Sequence, residues 1–396
     1  MKINDTFHVS YCTNIHPGTD WETTFNSLKE FAPKIKEQVS PDHPFGLGLR
    51  LSNKASEELT ETRMAQFKKW LDANGLYVFT MNGFPYGNFH GERVKDTVHA
   101  PDWTTPERLA YTKRLFEQLS VLLPSGMSGG ISTSPISYKH WFSTTEATER
   151  AFESGAGHLA QIVLQLLDIE TQKQQYLHLD IEPEPDGLLE NSGEVVHFYN
   201  TYLLPIAAEV LKTERGIPED AAHKLIKRYI TLCYDICHFS LAFEEPEYTF
   251  QKMKDQGIAI GKIQVSAALK ILYDAQNEDA IWEGLARFDE PTYLHQVTEK
   301  VGDTVTTYND LPMVLQEKKA FTELRAHFHV PIFLERFDAL HSTQDHILKV
   351  LAYVREHPVS EHLEVETYTW EVLPKALKRE LSASIVREID WLKERL

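Results

Sequence analysis

The chain has 396 residues, is 42% hydrophobic and carries a formal charge of −18. That is apolar material enough for a large core, under a surface that repels phosphate backbones, so nucleic acid is not an expected partner. No run of about 18 uncharged apolar residues occurs, so no transmembrane helix is expected. The N-terminal M-K-I-N-D-T-F-H lacks a signal-peptide core. Cys12, Cys233 and Cys237 form neither a C-x-x-C pair nor a disulfide framework. These features fit a reducing cytoplasm.

The first expected strand is Phe7–Cys12, followed by a loop with Asn14 and His16. Helical spacing runs over Trp21–Gln38, with Thr19 or Asp20 to cap it. Gly46–Leu51 is strand two, with Arg50 near its end. Ala55–Asn74 is a helix closed by Gly75. Tyr77–Asn82 is strand three, ending on Asn82, and its loop G-F-P-Y-G-N-F-H-G carries His90. Glycine- and aromatic-rich loops of this kind often cover sites. Thr105–Leu122 is helical, Gly129–Thr133 is strand four, and Thr144–Thr171 is a long amphipathic helix.

Strand five is the stretch Y-L-H-L-D-I-E-P-E over Tyr176–Glu184. Pro183 and Pro185 remove two backbone donors, so the strand stops there and Glu182 stands at its C-terminal tip. Glu194–Glu214 is helical. Strand six, Tyr229–Tyr234, runs into Asp235-Ile236-Cys237-His238. Pro246–Gln256 is a short helix, Ile258–Ala267 is strand seven, and Ala280–Glu290 is helical. Thr343–His357 is a helix, Leu363–Tyr368 is strand eight, and Pro374–Leu396 is a closing helix.

Eight strands alternating with helices predict a parallel sheet closed into an α/β (β/α)8 barrel, a TIM barrel, since closure leaves no edges. Arg325–Phe333 reads as a ninth strand. Residues 289–333 are therefore expected to be an insertion after strand seven, near the barrel mouth, within one domain spanning 1–396. No internal repeat is present.

In such a barrel the strand tips line the site. Glu182, Asp235 and Glu366 should converge, and three crowded carboxylates need protons or a cation. Oxygen ligands with one or two imidazoles suit Mg²⁺, Mn²⁺, Co²⁺ or Zn²⁺. His327 and His329 share a strand face and could grip a metal. Lys262 shares a face with Gln264 and, if turned inward, could be a Schiff-base nucleophile.

Acid tips on strands five, six and eight, with D-x-x-H at Asp235–His238, resemble the xylose-isomerase-like barrels. That superfamily includes sugar isomerases, ketose 3-epimerases, hydroxypyruvate isomerases and an abasic-site endonuclease branch. The resemblance implies a Glu-Asp-His-Glu quartet around a divalent metal, with Glu182, Asp235 and Glu366 in the acid places and His238 as the substrate-contacting group. Gln264 stands where the family has its strand-seven histidine, so either Gln264 or His329 completes the set.

More closely, Y-C-T-N-I-H-P-G (Tyr11–Gly18), F-T-M-N-G-F-P-Y-G (Phe79–Gly87), C-Y-D-I-C-H (Cys233–His238), K-I-Q-V-S-A-A-L (Lys262–Leu269), H-F-H-V-P-I-F (His327–Phe333) and H-L-E-V-E-T-Y-T-W (His362–Trp370) resemble the metabolite traffic protein EboE family. The resemblance implies a xylose-isomerase-like barrel from a bacterial gene cluster that makes or exports a precursor metabolite. The expected activity is a metal-dependent isomerase or epimerase of a small sugar or polyol, with Glu182 and Glu366 moving protons beside His238. Asn14, His16, Arg50, Asn82, His90, Lys262 and His327 are the expected substrate-binding groups. The alternatives are a non-catalytic metabolite carrier and an aldolase using Lys262. A homo-oligomer is compatible with all three readings.

Overall fold

The computed structural model describes residues 1–88, 94–367 and 380–396. Strands buried on both faces mark a parallel sheet wrapped by helices. Eight such strands form the frame: β1 (Phe7–Tyr11), β2 (Phe45–Arg50), β3 (Leu76–Asn82), β4 (Gly129–Thr133), β5 (Leu177–Ile181), β6 (Ile230–Asp235), β7 (Ile260–Val265) and β8 (His362–Val365). From β2 to β8 each pairs in parallel with the next, and β8 pairs with β1 with Leu363 opposite Val9. The ring closes between β1 and β2, where Cys12 bridges Gly48 and the Arg50 amide donates to Thr13 Oγ1 at 2.9 Å. The chain is thus the (β/α)8 barrel that its alternation predicts.

The barrel interior is unusually polar. Ser10, Ser132, Asp180, Lys262 and Glu364 are all fully buried. Glycines on neighbouring strands leave room for them. A Cβ on Gly48 would lie 1.4 Å from Glu364 Oε2, and one on Gly261 would lie 2.0 Å from Asp180 Oδ1. No side chain fits at either position without displacing a buried carboxylate.

Two expected helices are interrupted. The segment expected as one helix over Ala55–Asn74 is two, Asn53–Glu58 and Glu61–Ala73, because Thr60 leaves the helical conformation to cap the second. Glu194–Glu214 is Ser192–Phe198, a wide turn over Tyr199–Leu203, and Leu204–Arg215. Pro205 sits in the first turn of the resumed helix and has no N–H to continue the ladder. A further helix, Glu219–Tyr229, was not read from the sequence.

A second sheet lies between β7 and β8. Its six antiparallel strands run in the order Thr304–Tyr308, Val297–Val301, Glu323–Val330, Ala267–Leu272, Leu340–Ser342, Arg336–Phe337. It therefore draws on residues on both sides of 289–333. Ala267–Leu272 continues β7 after the single residue Ser266, so one run of chain serves both sheets. Opposite it, Glu323–Val330 loses register between Ala326 and Val330. Irregularities of that kind re-aim side chains, often beside active sites. Here the interrupted residues include His327 and His329.

The closing helix is Leu381–Lys393, and the segment before it, with the end of the expected strand eight, falls partly outside the described residues. Glu388 on this helix is 1% exposed. Its Oε1 accepts from Thr367 Oγ1 at 2.7 Å and from the Ile332 amide at 3.2 Å, tying the helix to the barrel rim and to the second sheet. Burial pushes its carboxyl from an ordinary 4.5 up to about 8, against those two hydrogen bonds. A carboxyl raised on folding holds its proton longer in the native state, so stability falls as pH rises from about 4.5 through about 8. Glu388→Gln removes that slope. Urea midpoints of the variant and the parent should agree near pH 5 and diverge in the variant's favour above pH 8.

Candidate metal centre and active site

The tips of β5, β6 and β8 meet at one end of the barrel. Glu182 follows β5, Asp235 ends β6 and Glu366 follows β8, and the three are at most 3% exposed. One carboxylate oxygen from each lies within 4.8 Å of the other two. The local sequence explains each placement. Pro183 ends the pairing after Glu182. Asp235 caps the short helix Ile236–Leu241, its Oδ1 accepting from the His238 amide at 3.1 Å and from Ser266 Oγ at 2.7 Å. Glu366 Oε1 accepts from both Asn14 Nδ2 and Asn82 Nδ2 at 2.9 Å.

Protein hydrogen bonds leave one oxygen on two of these acids unmatched. Glu182 Oε2 and Asp235 Oδ2 are buried with no hydrogen-bond partner. Like charges about 4 Å apart cost roughly 4 kcal/mol per pair at an effective dielectric of about 20. Burial, then the Glu366 and Asp235 charges, push the Glu182 carboxyl well above the carboxylate range. Burial, Asp235 and Glu364 do the same to Glu366. Asp235 goes the other way. Burial raises it, but the His238 and His329 imidazoles and the Ser266 hydroxyl together outweigh that and hold it low.

The imidazole comes from the second sheet. His329 Nδ1 donates to the Glu366 carbonyl at 2.9 Å, which leaves Nε2 turned toward Asp235 Oδ2 at 4.0 Å. Burial, partly offset by Asp235, lowers His329 to about 4, so the ring is neutral. A neutral imidazole and deprotonated carboxylates are the forms that bind metal. Glu182, Asp235 and Glu366 therefore fit a divalent cation by donor chemistry and by their unmatched oxygens, and His329 stands beside Asp235 as a candidate fourth ligand. Gln264 is placed differently. It pairs in register with Asp235 and Glu364, and its Oε1 accepts from the Cys233 thiol at 3.1 Å.

Above the carboxylates is a cavity of about 70 Å³ lined by Asn14, Asn82, Phe84, Glu182, Glu184, His238, Gln296, His327, His329 and Glu366, among others. By the same measure a single water needs about 10–15 Å³, so the space holds several waters or a small polar molecule. His238 and His327 both line it, with their Nε2 atoms 3.1 Å apart. His99, Glu184 and Gln296 were not singled out in the sequence. The second carboxylate of E-P-E was the available signal for Glu184; His99 and Gln296 come from segments that no spacing connects to the strand tips.

Three expected substrate groups are not brought to this cavity. The Arg50 guanidinium is spent on carbonyls, donating to Gly18 O at 3.0 Å and to Gly87 O, and so it anchors the loop after β3. His16 stacks on Phe31 with centroids 4.4 Å apart and bonds Tyr11 OH at 3.0 Å, beside a separate small cavity. Lys262 is sealed in the barrel, 2.5 Å from Glu364 Oε1. Burial pulls its ammonium down, but Glu364 and two neighbouring thiols raise it overall. A charged, enclosed amine cannot serve as a Schiff-base nucleophile. His90 lies outside the described residues.

No family model and no curated protein matches the sequence. Solved structures do. A xylose isomerase-like TIM barrel protein from Mycobacterium smegmatis in complex with magnesium is similar at 9% identity and a TM-score of 0.54, covering 100% of this chain and 98% of that one. A D-tagatose 3-epimerase-like protein is similar at 11% identity and a TM-score of 0.50, covering 98% and 97%. At these identities the likeness is one of fold, and this chain has the xylose-isomerase-like TIM-barrel fold. No helix among the described residues is long and apolar enough to cross a membrane.

Lys262→Met strands the Glu364 charge and should cost about 3–5 kcal/mol of stability. Urea denaturation measures it, and Lys262→Met combined with Glu364→Leu should recover most of the loss. Borohydride treatment of the parent with carbonyl compounds should leave Lys262 unmodified.

Proposed function

We propose that the protein is a metal-dependent isomerase or epimerase acting on a small hydroxylated carbonyl compound, such as a sugar or an oxidised polyol. The observation that carries this reading is the meeting of Glu182, Asp235 and Glu366, each from a different strand tip, with two oxygens unmatched and a cavity directly above. A divalent ion held by these acids and His329 would supply Lewis-acid polarisation of a carbonyl and the hydroxyl beside it.

The chain's own groups then divide the work. Two amides fix one oxygen of Glu366 and leave the other to accept a proton. Glu182 presents an oxygen with no competing donor. One of the two takes a proton from carbon and the other returns it, which is how a pair of carboxyls in a desolvated site interconverts stereoisomers or positional isomers. His238 and His327 stand on the wall where a substrate hydroxyl would lie. Phe84 and Pro85 line the same cavity and would limit access of bulk water. The resemblance to the EboE family would set this chemistry in the making or traffic of a precursor metabolite.

Elemental analysis of the parent, Glu182→Gln and Asp235→Asn tests the centre; both variants should lose bound metal. Incubation in deuterated water with a panel of ketoses and hydroxypyruvate should place deuterium on carbon, and Glu182→Gln should slow that exchange roughly 10²–10⁴-fold. Tight ligand binding without any exchange would replace the isomerase reading with that of a carrier.

A further inference from the structure

Two pieces of chain far apart in sequence wall the cavity toward solvent. One follows β3 and contributes Val94 and Lys95; the other lies between β7 and β8 and contributes Tyr293 and Leu294. They are joined edge to edge. The Val94 and Lys95 amides both donate to the Thr292 carbonyl, at 2.9 and 3.2 Å. Lys95 Nζ lies 2.5 Å from Asp310 Oδ2. These two side chains are 19% and 21% exposed, against 4% for Glu182, so the pair stands at the solvent end of the cavity.

Both partners are fixed in place. Lys95 has a φ of +38°, in the left-handed region that a side-chain-bearing residue seldom adopts. Such a conformation persists where the surroundings over-determine it, and the two amide bonds to Thr292 do so here. Asp310 caps the helix Leu311–Glu317. Its Oδ1 accepts from the Leu311 amide at 3.0 Å and the His295 amide at 3.1 Å, which leaves Oδ2 to Lys95.

Among the described residues that line the cavity, Lys95 is the only lysine or arginine, while Glu182, Glu184 and Glu366 add acid groups and no positive charge. An anionic group on an entering molecule finds that one cation already engaged. Drawing Lys95 away would leave Asp310 unpaired, a second negative charge at the same place. An uncharged molecule meets neither penalty. We propose that Lys95 and Asp310 are a specificity-determining pair that turns the mouth against carboxylates and phosphates and leaves it open to uncharged hydroxylated carbonyl compounds. The inference rests on the reading of this cavity as the substrate's place, and adds to it the charge of the substrate and the residues that set it.

The test compares dissociation constants of dihydroxyacetone and dihydroxyacetone phosphate, measured by ligand NMR on the full-length protein at low salt. The parent should bind the uncharged compound more tightly. Asp310→Asn keeps the size and an oxygen for the two amides, and it uncovers the Lys95 charge. The affinity for the phosphate relative to the uncharged compound should then rise roughly tenfold, and the gain should shrink at high salt. Lys95→Met should move that ratio the other way, and the double variant should return it close to the parent's. Thermal melting confirms that each variant is folded, and Lys95→Met carries the test if Asp310→Asn does not fold. A parent that prefers the phosphate or binds neither compound, a ratio unmoved by the substitutions, or a shift that salt does not weaken overturns the inference. Deuterium exchange separates the two failures. Exchange into any ketose, with the ratio unmoved, leaves the isomerase reading standing and removes only the pair's role; exchange into none counts against that reading itself.

Discussion

Mutual repulsion among Glu182, Asp235 and Glu366 is the constraint around which the mouth of this barrel is arranged. At such spacing the pairwise cost of roughly 4 kcal/mol is equivalent to about three pKa units, so the acids cannot all stay ionised unaided. The surrounding groups respond to that cost. Asn14 and Asn82 give two donors to one oxygen of Glu366, Ser266 gives a hydroxyl to Asp235, and His238 and His329 stand beside Asp235. One layer below, the Lys262–Glu364 pair keeps a further positive charge inside the barrel at no net change in charge. What remains uncompensated is a pair of buried oxygens, placed where a cation could neutralise them.

The second sheet brings an imidazole to the three acids. A barrel strand delivers one side chain to the mouth at its tip, whereas a strand crossing above the mouth can deliver several. The loss of register between Ala326 and Val330 turns His327 and His329 into the cavity together, with ring centroids 5.6 Å apart. His329 thereby stands where its imidazole can join the three acids, although it comes from outside the barrel's own strands. Gln264, on the barrel strand itself, is left to bond Cys233.

The strand tips were legible because proline and capping acids leave a strong mark. P-E-P fixes where β5 stops, and D-x-x-H places an acid at the end of β6 with a helix beginning behind it. Helix interruptions at Thr60 and around Tyr199 were not legible, since local spacing continues across both breaks. The extent of the second sheet was also hidden, because Ala267–Leu272 reads as a simple continuation of β7. Arg50, His16 and Lys262 show the limit of reading chemistry from residue type. Each is buried and satisfied by a partner far away in sequence: the Gly18 and Gly87 carbonyls, the Phe31 ring and the Glu364 carboxylate. A charged or aromatic residue near a strand end is as readily absorbed by the scaffold as offered to a ligand.

Ser266 is the only residue between β7 and its continuation in the second sheet, and it bonds in two directions. Its hydroxyl donates to Asp235 and accepts from the Cys237 amide at 2.9 Å. The point where the chain passes from one sheet to the other is thus pinned to an acid of the centre. Any tilt of the upper sheet pivots at this joint and acts as a lever on Asp235, while carrying His329 in the same stroke. Were an ion held there, opening the roof and loosening the grip on it would be a single mechanical event.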